Sequence, residues 1–189
     1  EGLFSTFANE QLSIGDTLDV MPPNGTFFTE VNPTKAKNYI AFAAGSGITP
    51  LLSIIKTHLA SEPNSTFKLF YLNGTVKSII FKEEIEQLKN LYFNRFEVFY
   101  FLTKEHRSSE LFNGRFSKEK LQVLTDKIID ISTTDECFIC GPEDMIFLLR
   151  DELVNAGLPK EHIHFELFTT GLSEEDKQRI NRIVEKKIK

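Results

Sequence analysis

The fold of this 189-residue chain is decided by the stretch YIAFAAGSGITP at residues 39–50. An apolar run typical of a buried strand leads into a glycine-rich turn, and the turn leads into a predicted helix whose first position suits Pro50. Gly45 and Gly47 permit positive φ angles and leave no Cβ atom between the backbone and a ligand. The unpaired N–H groups at the start of such a helix favour an anion, for example a pyrophosphate. Because the spacing is not G-x-G-x-x-G, a plain tight turn remains the alternative.

A second junction of the same kind follows later in the chain. Residues 136–145 read ECFICGPEDM, which is again a short apolar strand, a turn at Gly141 and Pro142, and an amphipathic helix. Two such turns at the carboxyl ends of parallel strands are what a ligand crevice in an open α/β sheet requires. The pair of junctions therefore favours a nucleotide site over two unrelated turns.

Strands and helices alternate from residue 38 onward. The predicted strands are 38–44, 66–72, 96–102, 136–140 and 162–167, and the predicted helices are 50–60, 79–90, 117–124 and 142–156. Nearly continuous apolar strands separated by helices indicate a parallel sheet covered on both faces. We therefore predict an α/β fold with a five-stranded parallel sheet and helices on both sides.

The composition limits the classes of function. With 41% hydrophobic residues and 18 phenylalanines, the chain can build one ordinary domain and a remnant of another. The net charge of −5, without a basic stripe, argues against nucleic acid as a partner. The sequence contains no run of about 18 apolar residues that could span a membrane, and no signal segment is recognisable. We therefore expect no membrane partner and a cytoplasmic protein.

Two features could suggest a metal site, and neither has the geometry for one. Cys137 and Cys140 have C-x-x-C spacing, but residues i and i+3 of a strand point to opposite faces and cannot converge on one ion. His162 and His164 would share a strand face, yet two histidines without a third ligand make a poor metal site. We therefore predict no metal site, a buried Cys137, and Cys140 at the strand end beside the crevice.

The ordered set of motifs resembles the pyridine-nucleotide domain of the ferredoxin–NADP reductase superfamily. The matching motifs are PPNGTF at 22–27, GSGITP at 45–50, Gly114-Arg115, CGP at 140–142 and HFELF at 164–168. Within the superfamily, the motifs are most similar to the reductases that serve phenylacetyl-CoA ring epoxidation in phenylacetate degradation. The resemblance implies hydride transfer from NAD(P)H to FAD, then single electrons to a [2Fe-2S] centre that serves an oxygenase or epoxidase component.

Three other interpretations stay open at this point. The chain could be a nucleotide-binding module without catalysis, or an electron-transfer domain of the flavohaemoglobin or dioxygenase-reductase type. A flavodoxin-like signalling domain is a weaker alternative, because it needs an acidic pocket at the first strand end, where this chain has Ala44-Gly45-Ser46.

The resemblance also implies roles for individual residues. The dinucleotide would contact Gly45, Ser46, Gly47, Thr49, Pro50, Gly141 and Pro142. Cys140, Glu166 and Phe168 would act as the catalytic residues, at the junction of nicotinamide and flavin. Ser5 belongs to a stretch that wraps the flavin pyrophosphate in the family.

The preference between NAD and NADP stays open. The strand at 66–72 ends at Asn73 and Gly74, where the adenosine ribose should lie. An acidic residue here would bind the 2′-hydroxyl of NAD and an arginine would bind the 2′-phosphate of NADP, but neither is present. Lys77 and Arg115 are candidate phosphate partners, with ordinary surface charge as the alternative.

The resemblance predicts three segments. Residues 1–33 would be the C-terminal part of a FAD-binding β-barrel, with short antiparallel strands around Leu12, Ile14, Leu18 and Val20. Residues 34–170 would form the NAD(P)-binding domain, and 171–189 a helical linker or tail. The Arg-x-Tyr-Ser motif that binds flavin in the family does not occur, so we expect a fragment with an incomplete FAD site. A [2Fe-2S] cluster is expected only in a ferredoxin domain that follows in related proteins.

Overall fold

The computed structural model describes residues 2–22 and 24–167. The strands are β1 (Asn38–Ala44), β2 (Thr66–Asn73), β3 (Phe96–Leu102), β4 (Glu136–Gly141) and β5 (Ile163–Leu167). The α-helices are α1 (Leu3–Glu10), α2 (Ile48–Ser61), α3 (Lys82–Leu91), α4 (Lys118–Lys127) and α5 (Glu143–Asn155). Short 3-10 turns lie at Gly45–Gly47, Val76–Ser78, Glu110–Phe112, Ile131–Thr133 and Lys160–His162. Phe168 and the predicted tail at 171–189 lie outside the described residues.

The strands form one sheet in the order β3-β2-β1-β4-β5, and every neighbouring pair is parallel. The predicted five-stranded parallel sheet is therefore confirmed. The chain adds strands on one side of β1 as far as β3, and then crosses to add β4 and β5 on the other side. The carboxyl ends of β1 and β4 lie next to each other at this switch of direction, where ligands bind in open α/β sheets.

Two apolar layers cover the sheet. Helices α2 and α3 pack on one face and α4 and α5 on the other, and each layer has its own buried cluster. Cys140 belongs to the first cluster and Cys137 to the second. Since successive strand residues alternate between faces, the two thiols point in opposite directions, as predicted.

Two helices begin two or three residues away from the predicted start, and the other two begin within one residue of it. Helix α2 begins at Ile48, because the turn at 45–47 is already helical, so Pro50 is its third residue and not its first. The proline is still tolerated, since the N–H groups of the first turn have no partner within a helix. Helix α3 begins at Lys82, because Phe81 before it adopts a left-handed conformation with φ 56°.

The antiparallel strands predicted near the start of the chain do not form. Residues 2–22 and 24–33 contain no strand, and α1 occupies 3–10, with Phe4 and Phe7 in ring contact at 6.2 Å. Leu12, Ile14 and Leu18 are exposed. A short strand needs neighbours to pair its backbone groups, and an isolated pair of strands is marginal at best. This part of the prediction was wrong because no neighbouring strand from the described residues lies beside the segment.

A buried carboxylate ties the segment before β1 to the rest of the domain. Glu62, at the end of α2, is fully buried and accepts hydrogen bonds from the Asn32 N–H, the Tyr39 hydroxyl and the Ser65 hydroxyl at 2.7–2.9 Å. Phe27 packs edge-on against Phe138 at 5.8 Å. These contacts fix residues 27–37 against the α2 side of the sheet.

No helix in the described part of the chain is both long and apolar enough to cross a lipid bilayer.

Candidate functional site

A cleft of about 540 Å³ opens at the carboxyl ends of β1, β2 and β4. It is lined by the turn at 45–47, the end of β2 at 72–74, the loop residues Arg115 and Phe116, and residues 141–145 apart from Glu143. Its volume falls within the range of small-molecule sites. The cleft lies at the point that the two glycine turns predicted.

The first turn leaves its backbone open towards the cleft at Gly45. Gly45 has φ +52°, and a Cβ atom built on it would meet nothing within 4 Å. Ser46 beside it is exposed and also lines the cleft. The predicted close approach of a ligand to the backbone is therefore sterically possible at this position.

Gly47 has a packing role that the motif did not suggest. A Cβ atom on Gly47 would lie 2.1 Å from the Cys140 carbonyl oxygen and 2.6 Å from its carbon. At Gly141, a Cβ atom would lie 2.5 Å from the Met145 methyl group and 3.0 Å from the Ala44 Cβ. The glycines thus let the two turns approach each other, and at Gly47 this packing, more than access for a ligand, excludes a side chain.

A buried tyrosine that the motifs did not single out forms a hydrogen bond to the backbone of the first turn. The Tyr71 hydroxyl donates to the Gly45 carbonyl oxygen at 2.9 Å, and the Ile48 N–H donates to the same oxygen. Burial raises the pKa of Tyr71 to about 12, although the nearby Ile80 N–H and Asn73 amide lower it. The available signal was a polar hydroxyl within the apolar run at 69–72, two residues before Asn73.

Asn73 contributes an unsatisfied donor at the second side of the cleft. It is 6% exposed and lines the cleft, and its side-chain nitrogen makes no hydrogen bond of normal geometry among the described residues, although it lies near enough to the Tyr71 hydroxyl to lower the pKa of that group. The backbone carbonyl oxygen of Asn73 accepts a hydrogen bond from the Thr103 N–H at 3.0 Å. A buried unpaired donor costs about 1–3 kcal/mol, so a ligand oxygen at this position would relieve a real penalty. Lys77, by contrast, is exposed and does not line the cleft.

Arg115 reaches the cleft mouth opposite a carboxylate. Its guanidinium lies 3.4 Å from Asp144, and both side chains are largely exposed and line the cleft. Lys120 holds the loop that carries Arg115, because its ammonium donates to the carbonyl groups of Asn113 and Arg115. Burial lowers the pKa of Lys120. The loop thus presents a positive charge that is partly neutralised by Asp144.

Cys140 and Glu166 are neighbours on β4 and β5 but do not line this cleft. Cys140 is buried, and burial together with the nearby Glu166 carboxylate raises the pKa of its thiol to about 12. Such a thiol is protonated at neutral pH and cannot serve as a nucleophile. Its buried side chain can contribute to the packing beneath the two turns that border the cleft.

Besides Lys77, three predicted binding residues lie away from the cleft. The Thr49 hydroxyl donates to the Ser46 carbonyl at 3.0 Å, and Pro50 lines a separate groove beside Phe27. The Ser5 hydroxyl donates to the carbonyl of Gly2, the residue before α1, at 2.9 Å. The predicted residues that line the cleft are Gly45, Ser46, Gly47, Asn73, Arg115, Gly141 and Pro142.

No cluster of three or more histidine, cysteine, aspartate or glutamate side chains within residues 2–22 and 24–167 could hold a metal ion. His162 and His164 were expected to share a strand face. His162 instead precedes β5, in the turn at 160–162, so this expectation was wrong. His164 instead pairs with the Glu136 carboxylate at 2.8 Å, and Lys37 binds the other oxygen at 3.0 Å.

A parallel sheet in the order 3-2-1-4-5, with a cleft at its switch of direction, defines a dinucleotide-binding domain. Residues 42–151 match the family model described as oxidoreductase NAD-binding domain, and the chain belongs to this family. The resemblance to ferredoxin–NADP reductases is confirmed by the same match.

Among curated proteins, the chain is 41% identical over 169 residues to one of the subunits of the 1,2-phenylacetyl-CoA epoxidase of Escherichia coli K12, covering 89% of this chain and 48% of that protein. It is 29% identical over 170 residues to the ferredoxin reductase component of 3-ketosteroid-9-alpha-monooxygenase from Rhodococcus rhodochrous, covering 90% and 44%. The chain thus spans about half the length of the curated relatives it matches.

Among solved structures, the CS-b5R domains of human Ncb5or in an NAD+ form match with a TM-score of 0.71 and 26% identity. That match covers 87% of this chain and 45% of the other.

Proposed function

We propose that this chain is the dinucleotide-binding part of a flavin-dependent NAD(P)H oxidoreductase of the ferredoxin reductase type. The observation that carries the proposal is the cleft between the turn at 45–47 and the turn at 141–142. It combines an open glycine backbone at Gly45 with a buried, unpaired amide at Asn73. An elongated ligand with an anionic middle and a polar sugar at one end suits this arrangement.

The residues that line the cleft fit a nicotinamide dinucleotide. The turn at 45–47 would hold the pyrophosphate through backbone N–H groups, and Arg115 would add charge at the mouth. Asn73 would donate to the adenosine ribose, which satisfies its buried amide. Gly141 and Pro142 would border the nicotinamide end.

When bound, NAD(P)H supplies a hydride to FAD, and this chain contributes position and the exclusion of water. We propose that Cys140, Glu166 and Phe168 border the nicotinamide–flavin junction. The buried thiol of Cys140 would shape the floor without exchanging a proton, since burial raises its pKa to about 12. Thr49, Pro50, Lys77 and Ser5 would contribute only if the ligand or a neighbouring domain extends beyond this cleft.

The length of the relatives supports a larger protein. We propose that residues 1–33 end a FAD-binding domain, that 34–170 form the NAD(P) domain, and that 171–189 lead towards a [2Fe-2S] domain. The electron acceptor would be an oxygenase or epoxidase component, and the 41% identity to a component of the phenylacetyl-CoA epoxidase favours phenylacetate degradation. We propose a cytoplasmic location, where NAD(P)H is available as reductant.

The first test is calorimetric titration of the chain with NADH, NADPH and FMN. We expect binding of at least one dinucleotide with a dissociation constant of about 1 μM to 1 mM, the range in which enzymes commonly hold such substrates. FMN should bind more weakly. Tighter binding of FMN than of either dinucleotide would support the flavodoxin-like alternative and contradict this proposal.

The second test concerns the junction residues and uses stopped-flow reduction by NAD(P)H of the flavin-loaded full-length protein, which includes the proposed FAD-binding domain. We expect Cys140→Ala and Glu166→Gln to slow flavin reduction by about tenfold or more, since an error of about 1 Å in position can cost about a hundredfold in rate. Dinucleotide affinity should change little. Wild-type reduction rates in both variants would place these residues in the core. Dinucleotide binding without any flavin reduction in the unaltered protein would support a non-catalytic module.

A further inference from the structure

The Gly45 carbonyl group is held from two directions beneath the cleft. The Tyr71 hydroxyl donates to its oxygen at 2.9 Å, and the Ile48 N–H at the start of α2 donates to the same oxygen. Tyr71 is fully buried, so its ring is fixed by the packing between β2 and α2. The orientation of the peptide group that joins Gly45 to Ser46 therefore depends on a hydroxyl from another strand.

That orientation determines what the turn offers to a ligand. The peptide bonds of the described residues are all trans, and in a trans peptide the C=O and N–H groups point in opposite directions. With the Gly45 oxygen directed down at the Tyr71 hydroxyl, the Ser46 N–H is directed away from the core, on the exposed side of the turn. Gly45 has φ +52° and no side chain to restrict it, so the Ile48 N–H is the backbone group that restrains this peptide, and the Tyr71 hydroxyl adds the second restraint.

We infer that Tyr71 is a positioning residue for dinucleotide binding, because its hydroxyl locks the Gly45–Ser46 peptide with the Ser46 N–H facing the cleft. This inference rests on the proposed function and adds a residue that does not itself line the cleft. Without the hydroxyl, only the Ile48 N–H holds the Gly45 oxygen, so the peptide is less firmly oriented and the pyrophosphate must bear part of the cost of ordering it.

Tyr100 offers a matched control. It is the register partner of Tyr71 on β3, with ring centroids 6.2 Å apart, and its hydroxyl donates to Glu86 at 3.0 Å and not to the turn. Tyr71→Phe and Tyr100→Phe therefore remove the same group from adjacent strands. Only the first removes a hydrogen bond to the glycine turn.

The experiment titrates the wild-type chain and both variants with ADP-ribose and NADH by calorimetry. We expect Tyr71→Phe to raise the dissociation constants about three- to tenfold, which is the loss expected for one well-placed hydrogen bond. Tyr100→Phe should leave them within about twofold. Equal affinity in the two variants would overturn the inference, whereas a wild-type chain that binds neither ligand would instead overturn the proposed function.

A second readout follows the Ser46 backbone amide by NMR and is insensitive to a general loss of stability. In the wild-type chain the Ser46 amide resonance should shift on addition of ADP-ribose. In Tyr71→Phe the shift should shrink. If ADP-ribose binds to the wild-type chain without moving the Ser46 amide, the assignment of Tyr71 fails even where the variant does not fold.

Discussion

Gly47 lies directly against the Cys140 carbonyl group, so the turn after β1 and the end of β4 are packed together with no room for a side chain. A Cβ atom on Gly47 would come within 2.1 Å of the Cys140 oxygen, a distance that only a backbone shift could relieve. Both turns border the cleft, and this contact sets their separation.

The contact predicts that Gly47→Ala destabilises the fold. Overpacking against backbone costs about 1–3 kcal/mol and occasionally more, and we expect a loss at the upper end because the carbonyl group cannot rotate away. Gly74→Ala is the control, since its Cβ atom would meet the Ser78 hydroxyl at 3.5 Å and Lys104 at 3.7 Å, which are ordinary contacts. Urea unfolding of both variants measures the difference, and similar losses in the two would disprove the interpretation.

Arg115 and Asp144 should have opposite effects on dinucleotide affinity. Arg115→Gln removes a positive charge from the cleft mouth, whereas Asp144→Asn removes the carboxylate that lies 3.4 Å from it. We expect NADH to bind about two- to fivefold more weakly to Arg115→Gln and about two- to fivefold more tightly to Asp144→Asn. Effects of this size match the small energies of exposed charge pairs.

Calorimetry at two salt concentrations checks this prediction. Both differences should shrink in about 0.5 M salt, because the Debye length falls to a few ångströms there. If both substitutions weakened binding to the same extent, the Arg115–Asp144 pair would be needed intact for binding. Asp144 would then not compete with the dinucleotide for Arg115.

The choice between NADH and NADPH should depend more on Lys104 than on Lys77. Lys104 donates its backbone N–H to the Gly74 carbonyl at 2.8 Å, and its aliphatic stem passes beside Gly74 at the end of β2. Neither lysine lines the cleft, but Lys77 lies on the exposed turn after Gly74, whereas the stem of Lys104 lies beside Gly74 itself. We expect Lys104→Gln to weaken NADPH about two- to fivefold more than NADH, since NADPH carries the additional 2′-phosphate charge.

The same titration with Lys77→Gln completes the comparison. That variant should change the two affinities by similar factors. A selective loss of NADPH binding in Lys77→Gln, with none in Lys104→Gln, would reverse the assignment.

Glu62 should make the stability of the domain depend on pH. Its burial raises the pKa of the carboxyl group, but hydrogen bonds from Asn32, Ser65 and Tyr39 outweigh burial and hold the pKa below its usual value of 4.5. Because the folded-state pKa lies below that of the unfolded chain, the stabilisation is present at neutral pH. It is lost as the pH falls from about 4.5 towards the folded-state value.

Glu62→Gln tests this by urea unfolding between about pH 7 and pH 3. We expect the variant to be less stable at neutral pH by about 1–3 kcal/mol, because one buried donor loses its acceptor. The difference from the wild type should narrow at acid pH. Glu97→Gln, which alters an exposed carboxylate, should follow the wild-type curve. A constant difference across the whole range would show that Glu62 does not titrate with unfolding.

The amino-acid sequence was sufficient to predict the secondary structure of the nucleotide-binding domain and its parallel sheet. Apolar runs in β1 to β5 and the glycine turns at 45–47 and 141–142 are local patterns, so they can be recognised without knowing what lies beside them. The antiparallel strands at the start of the chain were predicted wrongly because a strand depends on contacts that the local pattern does not contain. A strand near Leu12 needs a partner strand, and the local pattern does not say whether one is present.

The tertiary structure alone decided how the cleft is built. The Tyr71 hydroxyl reaches Gly45, Gly47 meets the Cys140 carbonyl, and Asn73 retains a donor without a partner among the described residues, although each residue taken singly suggests an ordinary core or turn position. These distances join residues on different strands, and the packing of helices on both faces of the sheet fixes them collectively. Strand and turn patterns arise from interactions between near neighbours in the chain, whereas contacts between strands depend on the whole core.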